Sequence, residues 1–449
     1  MNNKHIEWRK QKLEGFRDKL EAGQLNALRE LLPNSVIKEI CEESQYEYRN
    51  RLLTPIVTIF HMIGAGISRE GSFQSAWQMG AQSGQSGSLA KARKRIPLEV
   101  WTSLHEWIST EVQKESTPTE CWRGHRLIGV DGTCLSMSEE SDLVEYFGRQ
   151  SGRHGKSRYP LSRVLLAFNL KSMMLIHPQM GSYEQGETSL LKESFEKFSA
   201  GDVLVMDRHY SGANLYAEYE QEGIHFIARS HHQRKVENLK VVREFSKDDR
   251  VVEIPVGVNY RRLDQCLPEA VEVRMVKLTC KIRGEKNTFW IATSLKDAKN
   301  YPAKEIREVY KRRWKVEGLI EELKVWLGAD VLRSKSVEGI YKELYARVIG
   351  MNLIHWLILR ASRQYQQPLE RISTSATLRL TLAYSLKMST APAWQLSQLY
   401  EDLLQRIASS YVPYRENRLE PRMIRRETKF YPMLKMTRRE WKALYAQAA

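Results

Sequence analysis

The sequence is poor in the features that mark secreted and zinc-binding proteins. Its 449 residues include only five cysteines, which form no CxxC pair, and no histidines follow them at zinc-finger spacing. Such scattered cysteines indicate neither a disulfide framework nor a structural zinc site. We expect them to be reduced, as in a cytosolic protein.

Apolar stretches long enough to cross a membrane are also missing. The first residues contain no apolar core of the kind that signal peptides have. The longest apolar run extends from Leu52 to Ile67 and is interrupted by Pro55, His61 and two glycines. Because this run is short for a membrane span, we expect a buried helix and a protein that does not associate with membranes.

What the chain has in excess is positive charge. Lysine and arginine number 70 against 54 aspartates and glutamates, which gives a formal net charge of +16. Such an excess favours a polyanionic partner, and nucleic acid before a membrane surface. The hydrophobic fraction of 42%, with 11 tryptophans and 20 tyrosines, indicates a folded protein large enough for two or three domains.

The N-terminal region, residues 1–118, has apolar residues at helical spacing and is predicted to be helical. A glycine- and serine-rich stretch at 80–88 precedes a basic helix that Pro97 stops. The basic residues of this helix are Lys91, Arg93, Lys94 and Arg95. Helix, turn and basic helix are compatible with a helix-turn-helix-like DNA-binding region. A solvated basic surface is an equally good interpretation.

From about residue 125 the pattern becomes that of a mixed α/β region. Three strand-like runs, at 126–135, 161–170 and 173–179, are followed by a helix, a strand ending at Asp207, a second helix and a short strand. The order βββαβαβ is that of a ribonuclease-H-like core. In that core the first and fourth strands are neighbours, so Asp131 on the first run should lie near Asp207.

The predicted fold class is therefore α/β, a mixed sheet flanked by helices and interrupted by a β-rich insertion. We assign the first part of the core to residues 119–229, the insertion to 230–295 and the second part of the core to 296–364. The second part includes a long apolar helix at 337–362. Residues 365–449 are predicted to form a helical and basic C-terminal region.

Residues 310–324 are predicted to form a helix, because no proline occurs from Ala303 to Ser334 and no glycine before Gly318. At about 100° per residue, four polar side chains fall within a stripe roughly 60° wide: Tyr310, Arg313, Glu317 and Lys324. One carboxylate thus shares a face with two cations and a phenol. Arg313 and Glu317 are also an ordinary i,i+4 pair of the kind found on solvated helices.

Two aspartates on adjacent strands and a glutamate on a facing helix would form an oxygen-only site. Such ligands bind Mg²⁺ or Mn²⁺ rather than Zn²⁺. With two ions about 4 Å apart, one activates a water or a 3′-hydroxyl and the other stabilises the leaving oxygen of a phosphodiester. Because crowded carboxylates repel one another, they are costly without cations. We therefore predict Asp131, Asp207 and Glu317 as catalytic residues and metal ligands.

The four residues of the stripe match the Y-(2)-R-(3)-E-(6)-K signature at every fixed position. At these residues the sequence resembles the insertion-sequence-four family of DDE transposases. The resemblance covers most of the chain. Further segments that carry it are 89–98, Val130-Asp131-Gly132, 205–210 and Tyr431-Pro432.

The resemblance implies that the three acids are the metal-binding triad, and that Tyr310, Arg313 and Lys324 grip phosphates of the transposon end. It also implies cut-and-paste movement with a hairpin intermediate. In this family an aromatic residue of the β insertion can stack on a flipped-out base, at about 1–3 kcal/mol per base. Trp290 is the first candidate and Trp314 the second. A core position for Trp290 is an equally good interpretation.

These expectations describe a prokaryotic mobile-element transposase, cytoplasmic and associated with the nucleoid. It would use two Mg²⁺ ions, for which Mn²⁺ substitutes, to cleave DNA at terminal inverted repeats and to transfer the freed strand. Its partners would be double-stranded DNA of the transposon ends and of the target, and the resemblance implies a homodimer in the synaptic complex. Two alternatives are a metal-dependent DNA endonuclease without strand transfer and a catalytically inactive, sequence-specific DNA-binding relative.

Overall fold

The computed structural model describes residues 25–50, 52–68, 86–115, 121–152, 155–157, 159–282 and 285–412, together with 440, 443 and 444. Some sequence predictions fall outside these residues. They are the helix before residue 25, most of the turn in the helix-turn-helix hypothesis, and the arginine-rich tail with Tyr431-Pro432.

The bounds of the helices and strands are as follows. Before the sheet, the described chain forms α1 (Asn26–Arg29), α2 (Asn34–Glu43), α3 (Pro55–Ile67), α4 (Ser86–Arg95) and α5 (Leu98–Lys114). The next elements are β1 (Leu127–Met137), α6 (Ser141–Phe147), β2 (Ser151–Gly152), β3 (Gly155–Lys156), β4 (Leu161–Asn169), β5 (Leu175–Ser182), α7 (Glu187–Glu193), β6 (Val203–Met206), α8 (Ala213–Gln221) and β7 (His225–Arg229). The β-rich segment forms β8 (Lys240–Ser246), β9 (Asp249–Pro255), α9 (Val258–Leu263), β10 (Ala270–Ile282) and β11 (Glu285–Thr293). The remaining described elements are α10 (Ala303–Lys311), α11 (Trp314–Glu321), β12 (Val331–Leu332), α12 (Val337–Gln364), α13 (Thr374–Thr390) and α14 (Ala393–Ala408).

One mixed sheet organises these elements, in the order β5-β4-β1-β6-β7-β11-β10-β9-β8, with β12 pairing with the end of β1. β1 is antiparallel to β4 and parallel to β6, and β6 is parallel to β7. The parallel pairs need crossover connections, which the helices supply. This is the predicted ribonuclease-H-like order, with the first and fourth core strands as neighbours, so the predicted fold class is confirmed.

The β-rich insertion extends the core sheet, because β11 pairs antiparallel with β7. A buried ion pair holds its strands together. Arg274 on β10 donates hydrogen bonds of 2.8 and 2.6 Å to the carboxylate of Asp249 on β9. Its remaining nitrogen donates to the carbonyl oxygens of Leu295 and Tyr301, in the segment that leads to α10. The insertion is thereby tied to the second part of the core.

The two faces of the sheet are covered by different helices. Strand residues alternate between faces, and Leu127 accordingly belongs to one buried cluster while Ile128 belongs to another. The Leu127 cluster includes Val316 of α11, and the Ile128 cluster includes Leu190 of α7. α11 and α7 therefore lie on opposite faces of the same central strand.

The apolar run that was predicted to be a buried helix forms α3, in which every residue is buried. α3 packs on α12, which is largely buried along its 28 residues. Glycines allow the two helices to approach, since a Cβ on Gly350 would lie 2.5 Å from Cγ2 of Ile67. None of the described helices combines the length and the apolar character that crossing a membrane requires.

The prediction of an unbroken helix across residues 310–324 is wrong at Arg312 and Arg313. α10 ends at Lys311, and the amides of Arg312 and Arg313 bond to carbonyls three residues back, as in a tight turn, before α11 begins. The physical reason is that α10 packs on β6, β7 and β10 whereas α11 packs on β1, so the chain must change direction between them. A π-type turn, Glu322–Trp326, then follows α11. Positions on an ideal helix therefore do not decide which of these side chains meet.

Candidate active site

Asp131 and Asp207 are neighbours at the end of the parallel pair of β1 and β6. Gly129 pairs with Val205, so the same register places Asp131 and Asp207, each two residues further on, side by side. The Asp207 carboxylate also accepts a hydrogen bond of 2.7 Å from the amide of His209. Burial raises the pKa of Asp131 to about 6, and the charge of Asp207 acts in the same direction. Negative charge is thus crowded at this point.

α11 comes close to β1 because a glycine stands where they touch. A Cβ on Gly129 would lie 2.3 Å from Cγ2 of Val316 and 2.6 Å from Cδ2 of Leu170. Val316 is fully buried in this contact. The next residue along α11 is Glu317, so the glycine determines how near this carboxylate comes to β1.

Arg313 connects Glu317 with Asp131. One of its terminal nitrogens lies 2.8 Å from Oε1 of Glu317, and the other lies 3.9 Å from Oδ2 of Asp131. The Arg313 side chain is 11% exposed and that of Glu317 is 55% exposed. Glu317 is therefore linked to Asp131 through a single guanidinium, although the predicted helix that was to align these residues is broken.

Tyr310 is placed differently from Arg313. It is 2% exposed, and its ring packs edge-on against those of Phe289 and Trp314, with centroid separations of 5.7 and 6.3 Å. Burial raises the pKa of its phenol, while Arg313 lowers it. The expected phosphate contact of Tyr310 is not compatible with this burial. Trp314 is 37% exposed, and its ring lies beside the Arg313 guanidinium.

Lys324 reaches the site from the π-type turn. Its Nζ donates hydrogen bonds of 3.1 Å each to Oγ1 of Thr133 and to the carbonyl oxygen of Cys134, both on β1. Single π-type turns are frequent at functional sites. The turn replaces the ideal helix stripe as the reason that Lys324 faces the same strand as Asp131.

The donor set fits a divalent cation in its chemistry. It consists of carboxylates, the ligands that Mg²⁺ and Mn²⁺ prefer, and the raised pKa of buried Asp131 shows an environment that added positive charge would stabilise. The side chains are not gathered for coordination: no three His, Cys, Asp or Glu groups of the described residues lie close enough to hold a metal. Glu317 would have to leave Arg313 to join the aspartates.

Glu187, the first residue of α7, is an acid of this site that sequence reasoning missed. A Cβ on Gly132 would lie 2.3 Å from the carboxyl carbon of Glu187, so this carboxylate occupies the space over the glycine that follows Asp131. The hydroxyl of Tyr210 donates a hydrogen bond of 3.0 Å to it. The glycine at position 132 indicates that another group approaches the backbone closely there. Nothing in the sequence identifies that group as Glu187.

Trp290 faces away from α10. Phe289 packs with Tyr310, whereas Trp290, the next residue, packs on the cluster of the opposite face. Lys277 and Arg250 both lie near its ring, at 5.3 and 5.8 Å from its centroid, and its Nε1 donates to Glu237. Trp290 is therefore half-buried among charged side chains.

The basic helix at 89–96 forms α4 and ends before Pro97, as predicted, but its basic residues point in different directions. Lys91 and Lys94 are exposed. Burial lowers the pKa of Arg93, which faces the charge of Glu343 on α12. Arg95 is exposed and bonds to the phenol of Tyr46. The helix thus offers DNA at most part of the basic surface that the sequence predicts.

Comparison with known proteins agrees with this architecture. A family model described as the transposase DDE domain matches residues 122–353, just over half of the chain. The transposase InsG for insertion sequence element IS4, from Escherichia coli (strain K12), is 22% identical over 352 residues, which are 77% of each protein. The piggyBac transposase, in a synaptic complex with hairpin DNA, aligns over 87% of this chain and 86% of its own with a TM-score of 0.41 and 11% identity. So distant a structural likeness carries no conclusion here.

A ribonuclease-H-like sheet with acids at the end of its central strands is the architecture of enzymes that cut nucleic acids. The chain belongs to the DDE transposases and, among them, to the insertion-sequence-four family. It is an enzyme that cleaves DNA and transfers the cut strand, and enzymes of this family depend on divalent metal ions.

Gly129→Ala should lower DNA cleavage about 100-fold, with a smaller effect on DNA binding. The added methyl group meets Val316 and Leu170, so α11 must move away from β1 and carry Glu317 with it. A displacement of about 1 Å is enough for a loss of this size. Cleavage assays on the purified variant measure the effect.

The matched control is the double variant Gly129→Ala/Val316→Ala, in which the smaller side chain makes room for the methyl. It should recover part of the lost activity. Full activity of Gly129→Ala alone would contradict the idea that the approach of α11 to β1 positions Glu317.

Proposed function

We propose that this transposase moves an insertion sequence by a cut-and-paste reaction at the element's terminal inverted repeats. One DNA strand at the end is hydrolysed, and the freed 3′-hydroxyl attacks the opposite strand, which gives a hairpin and releases the flanking DNA. A second water then opens the hairpin, and the regenerated 3′-hydroxyl attacks target DNA to insert the element. The reaction takes place in the cytoplasm of a prokaryote, on DNA of the nucleoid. Two ends must be brought together, so the active form is a homodimer on DNA.

The convergence of Asp131, Asp207 and Glu317 carries this proposal. The acids are far apart in the sequence, yet the register of two strands makes two of them neighbours and Arg313 contacts the third. Burying acids near one another is unfavourable unless a cation compensates for the repulsion. The arrangement therefore supports a catalytic role for these residues better than a structural one.

In this proposal the three carboxylates hold two Mg²⁺ ions, for which Mn²⁺ substitutes. The bound metal supplies an activated water or 3′-hydroxyl and stabilises the leaving oxygen. The chain's own contribution is to fix the aspartates by strand register, to present Glu317 on α11 and to exclude bulk water from the buried side of Asp131. Glu317 exchanges its contact with Arg313 for the metal site.

Arg313 is the residue we assign to a phosphate of the transposon end. Its Nε–H is buried and has no hydrogen-bond partner among the described residues. The terminal nitrogen that contacts Glu317 is freed when Glu317 turns away. A planar guanidinium then offers parallel donors that suit a phosphate group. Tyr310 packs under Trp314 and supports Arg313, rather than touching DNA itself.

Lys324→Ala should weaken binding of the element's end and reduce the salt dependence of binding. A plot of the logarithm of the association constant against the logarithm of the salt concentration has a negative slope. Removing one phosphate contact makes this slope less steep by about 0.9 for duplex DNA. Fluorescence anisotropy at several salt concentrations gives both quantities. Lys114→Ala is the matched control, because Lys114 is exposed on α5 and pairs with Glu111. A slope identical to that of the unaltered chain would remove Lys324 from the phosphate contacts.

Trp290 and Trp314 are the aromatic residues that we assign to base stacking. Trp314, 37% exposed beside Arg313, has the more favourable position next to the acids. Trp290 lies near two cations in the insertion, so a nucleotide there could stack its base on the ring and place its phosphate beside a cation. Exposed Lys91, Lys94 and Arg95 on α4 are assigned to backbone contacts outside the catalytic centre, and Arg93 supports the helix.

An assay for joined products tests the proposed function. The purified chain is incubated with labelled terminal repeats, read from the DNA that flanks the gene, with a target plasmid and Mg²⁺. We expect nicked ends, hairpins and repeats joined to the plasmid. Cut ends without joined products would identify an endonuclease, and binding without any cleavage in Mg²⁺ or Mn²⁺ would identify an inactive relative.

A further inference from the structure

Glu187 is held against β1 by contacts that fix its carboxylate. Both of its oxygens and its carboxyl carbon lie 2.3–2.7 Å from the point where a Cβ on Gly132 would be. The Tyr210 hydroxyl donates to one of those oxygens at 3.0 Å. A glycine is therefore needed at position 132 for this carboxylate to lie against β1 beside Asp131.

The approach of Glu187 is from the side of the sheet opposite Glu317. Leu190 and Leu191 of α7 pack in the cluster of Ile128, whereas Val316 of α11 packs in the cluster of the other face. Acids on two helices thus reach one central strand from its two faces. A ligand at the strand's edge would be enclosed between them.

The edge of β1 is open where these acids meet. β1 pairs with β6 as far as Gly129 and with β12 from Ser136 onward. Between these positions no strand of the described chain pairs with that edge of β1. Asp131 and Gly132 lie in this gap, so a carboxylate from either face can reach the same space.

The negative charge of Glu187 acts on two neighbouring groups, the carboxyl of Asp131 and the phenol of Tyr210. After burial, the acids that raise the pKa of Asp131 are Asp207 and Glu187. The pKa of Tyr210 is raised well above its usual value, by burial first and then by Glu187. In the described part of the chain Glu187 forms a hydrogen bond with Tyr210 but no ion pair with lysine or arginine.

We propose that Glu187 is a fourth carboxylate of the metal site and holds the cation from the face of the sheet opposite Glu317. This inference rests on the proposed function, because it assumes that Asp131, Asp207 and Glu317 bind divalent ions. It places an acidic ligand in the space over Gly132, which the Glu187 carboxylate occupies, and it adds a fourth carboxylate to the three that hold the two ions.

The test is binding of Mn²⁺ alone to the full-length chain, followed by electron paramagnetic resonance of the free ion. Glu187→Gln should weaken Mn²⁺ binding by at least about tenfold, within the range observed when groups around a metal site are removed. Glutamine keeps the volume and an acceptor for the Tyr210 hydroxyl, so a merely structural role would leave the affinity unchanged. Glu184→Gln, on the exposed turn before α7, is the matched control and should bind Mn²⁺ as the unaltered chain does.

Two more variants distinguish metal binding by the Glu187 carboxylate from a structural role of its hydrogen bond with Tyr210. Tyr210→Phe removes the hydrogen bond but leaves the carboxylate, and should affect Mn²⁺ binding less than Glu187→Gln. Gly132→Ala displaces the carboxylate and should weaken Mn²⁺ binding as much as Glu187→Gln, with no further loss in the double variant, because both act on one group. An effect of Tyr210→Phe equal to that of Glu187→Gln would overturn the ligand role.

The outcomes also distinguish this inference from the proposed function. Glu187→Gln with unchanged Mn²⁺ affinity, while Glu317→Gln and Asp131→Asn lose it, would overturn only the role of Glu187. Unchanged affinity in all three variants would overturn the metal site itself. A Glu187→Gln chain that fails to fold, judged by circular dichroism, would show that the carboxylate is structural and would also overturn the ligand role.

Discussion

Glu317→Gln is expected to abolish DNA cleavage while leaving binding of the transposon end largely intact. The substitution keeps the size of the side chain but removes the negative charge that a divalent ion needs. A loss on the order of a thousandfold or more is typical when a residue that acts as part of a catalytic unit is removed. Cleavage of labelled terminal repeats in Mg²⁺, with binding measured in parallel, gives both results.

Loss of the Glu317 charge also frees Arg313 from its 2.8 Å contact. The guanidinium then has more donors for phosphate, so DNA binding should be unchanged or slightly tighter. Glu321→Gln is the matched control, because Glu321 is exposed on the same helix, one turn further on. Substantial residual cleavage by Glu317→Gln would remove Glu317 from the triad.

Asp249→Ala should destabilise the folded chain by about 3–5 kcal/mol, the usual cost of leaving a buried charge without its partner. Arg274 has no exposed surface, and Asp249 is 6% exposed. Without the carboxylate, the guanidinium keeps only the carbonyl oxygens of Leu295 and Tyr301. The free energy of unfolding of natural proteins is about 5–15 kcal/mol, so this single substitution removes a large share of it. Urea unfolding followed by circular dichroism measures it.

Replacing both partners should largely reverse the effect. Asp249→Ala/Arg274→Met removes the uncompensated charge, and apolar replacements of buried pairs are often neutral or stabilising. Glu269→Ala is the surface control, because Glu269 is 91% exposed and lies 3.5 Å from Arg261. It should change the stability by less than about 1 kcal/mol. A similar loss in Asp249→Ala and Glu269→Ala would contradict the importance of burial.

The core strands could be predicted because their patterns are local. The run 203–206 is an uninterrupted apolar segment and forms β6 with those bounds, buried on both faces. Strand-like runs similarly indicated β1, β4 and β7. The order of these elements then led to the ribonuclease-H-like arrangement, in which strand register makes Asp131 and Asp207 neighbours.

The helix that carries Glu317 shows where local pattern fails. Its composition favours a continuous helix through Arg312 and Arg313, yet the chain turns there because two sets of strands bind its two halves. Tyr310 is consequently buried, and Lys324 meets β1 through a π-type turn. The signature spacing was informative about the family, but the explanation of the spacing as one face of an ideal helix was wrong.

Side-chain pattern alone was sufficient for the class of fold and the family, since these depend on hydrophobic periodicity and on residue types at short spacing. Long-range packing was needed for the rest. Glu187 lies far from Asp131 in the sequence, and it reaches Gly132 only because α7 and α11 pack on opposite faces of one strand. Contacts between distant segments depend on how the whole sheet is assembled, and no local pattern records them.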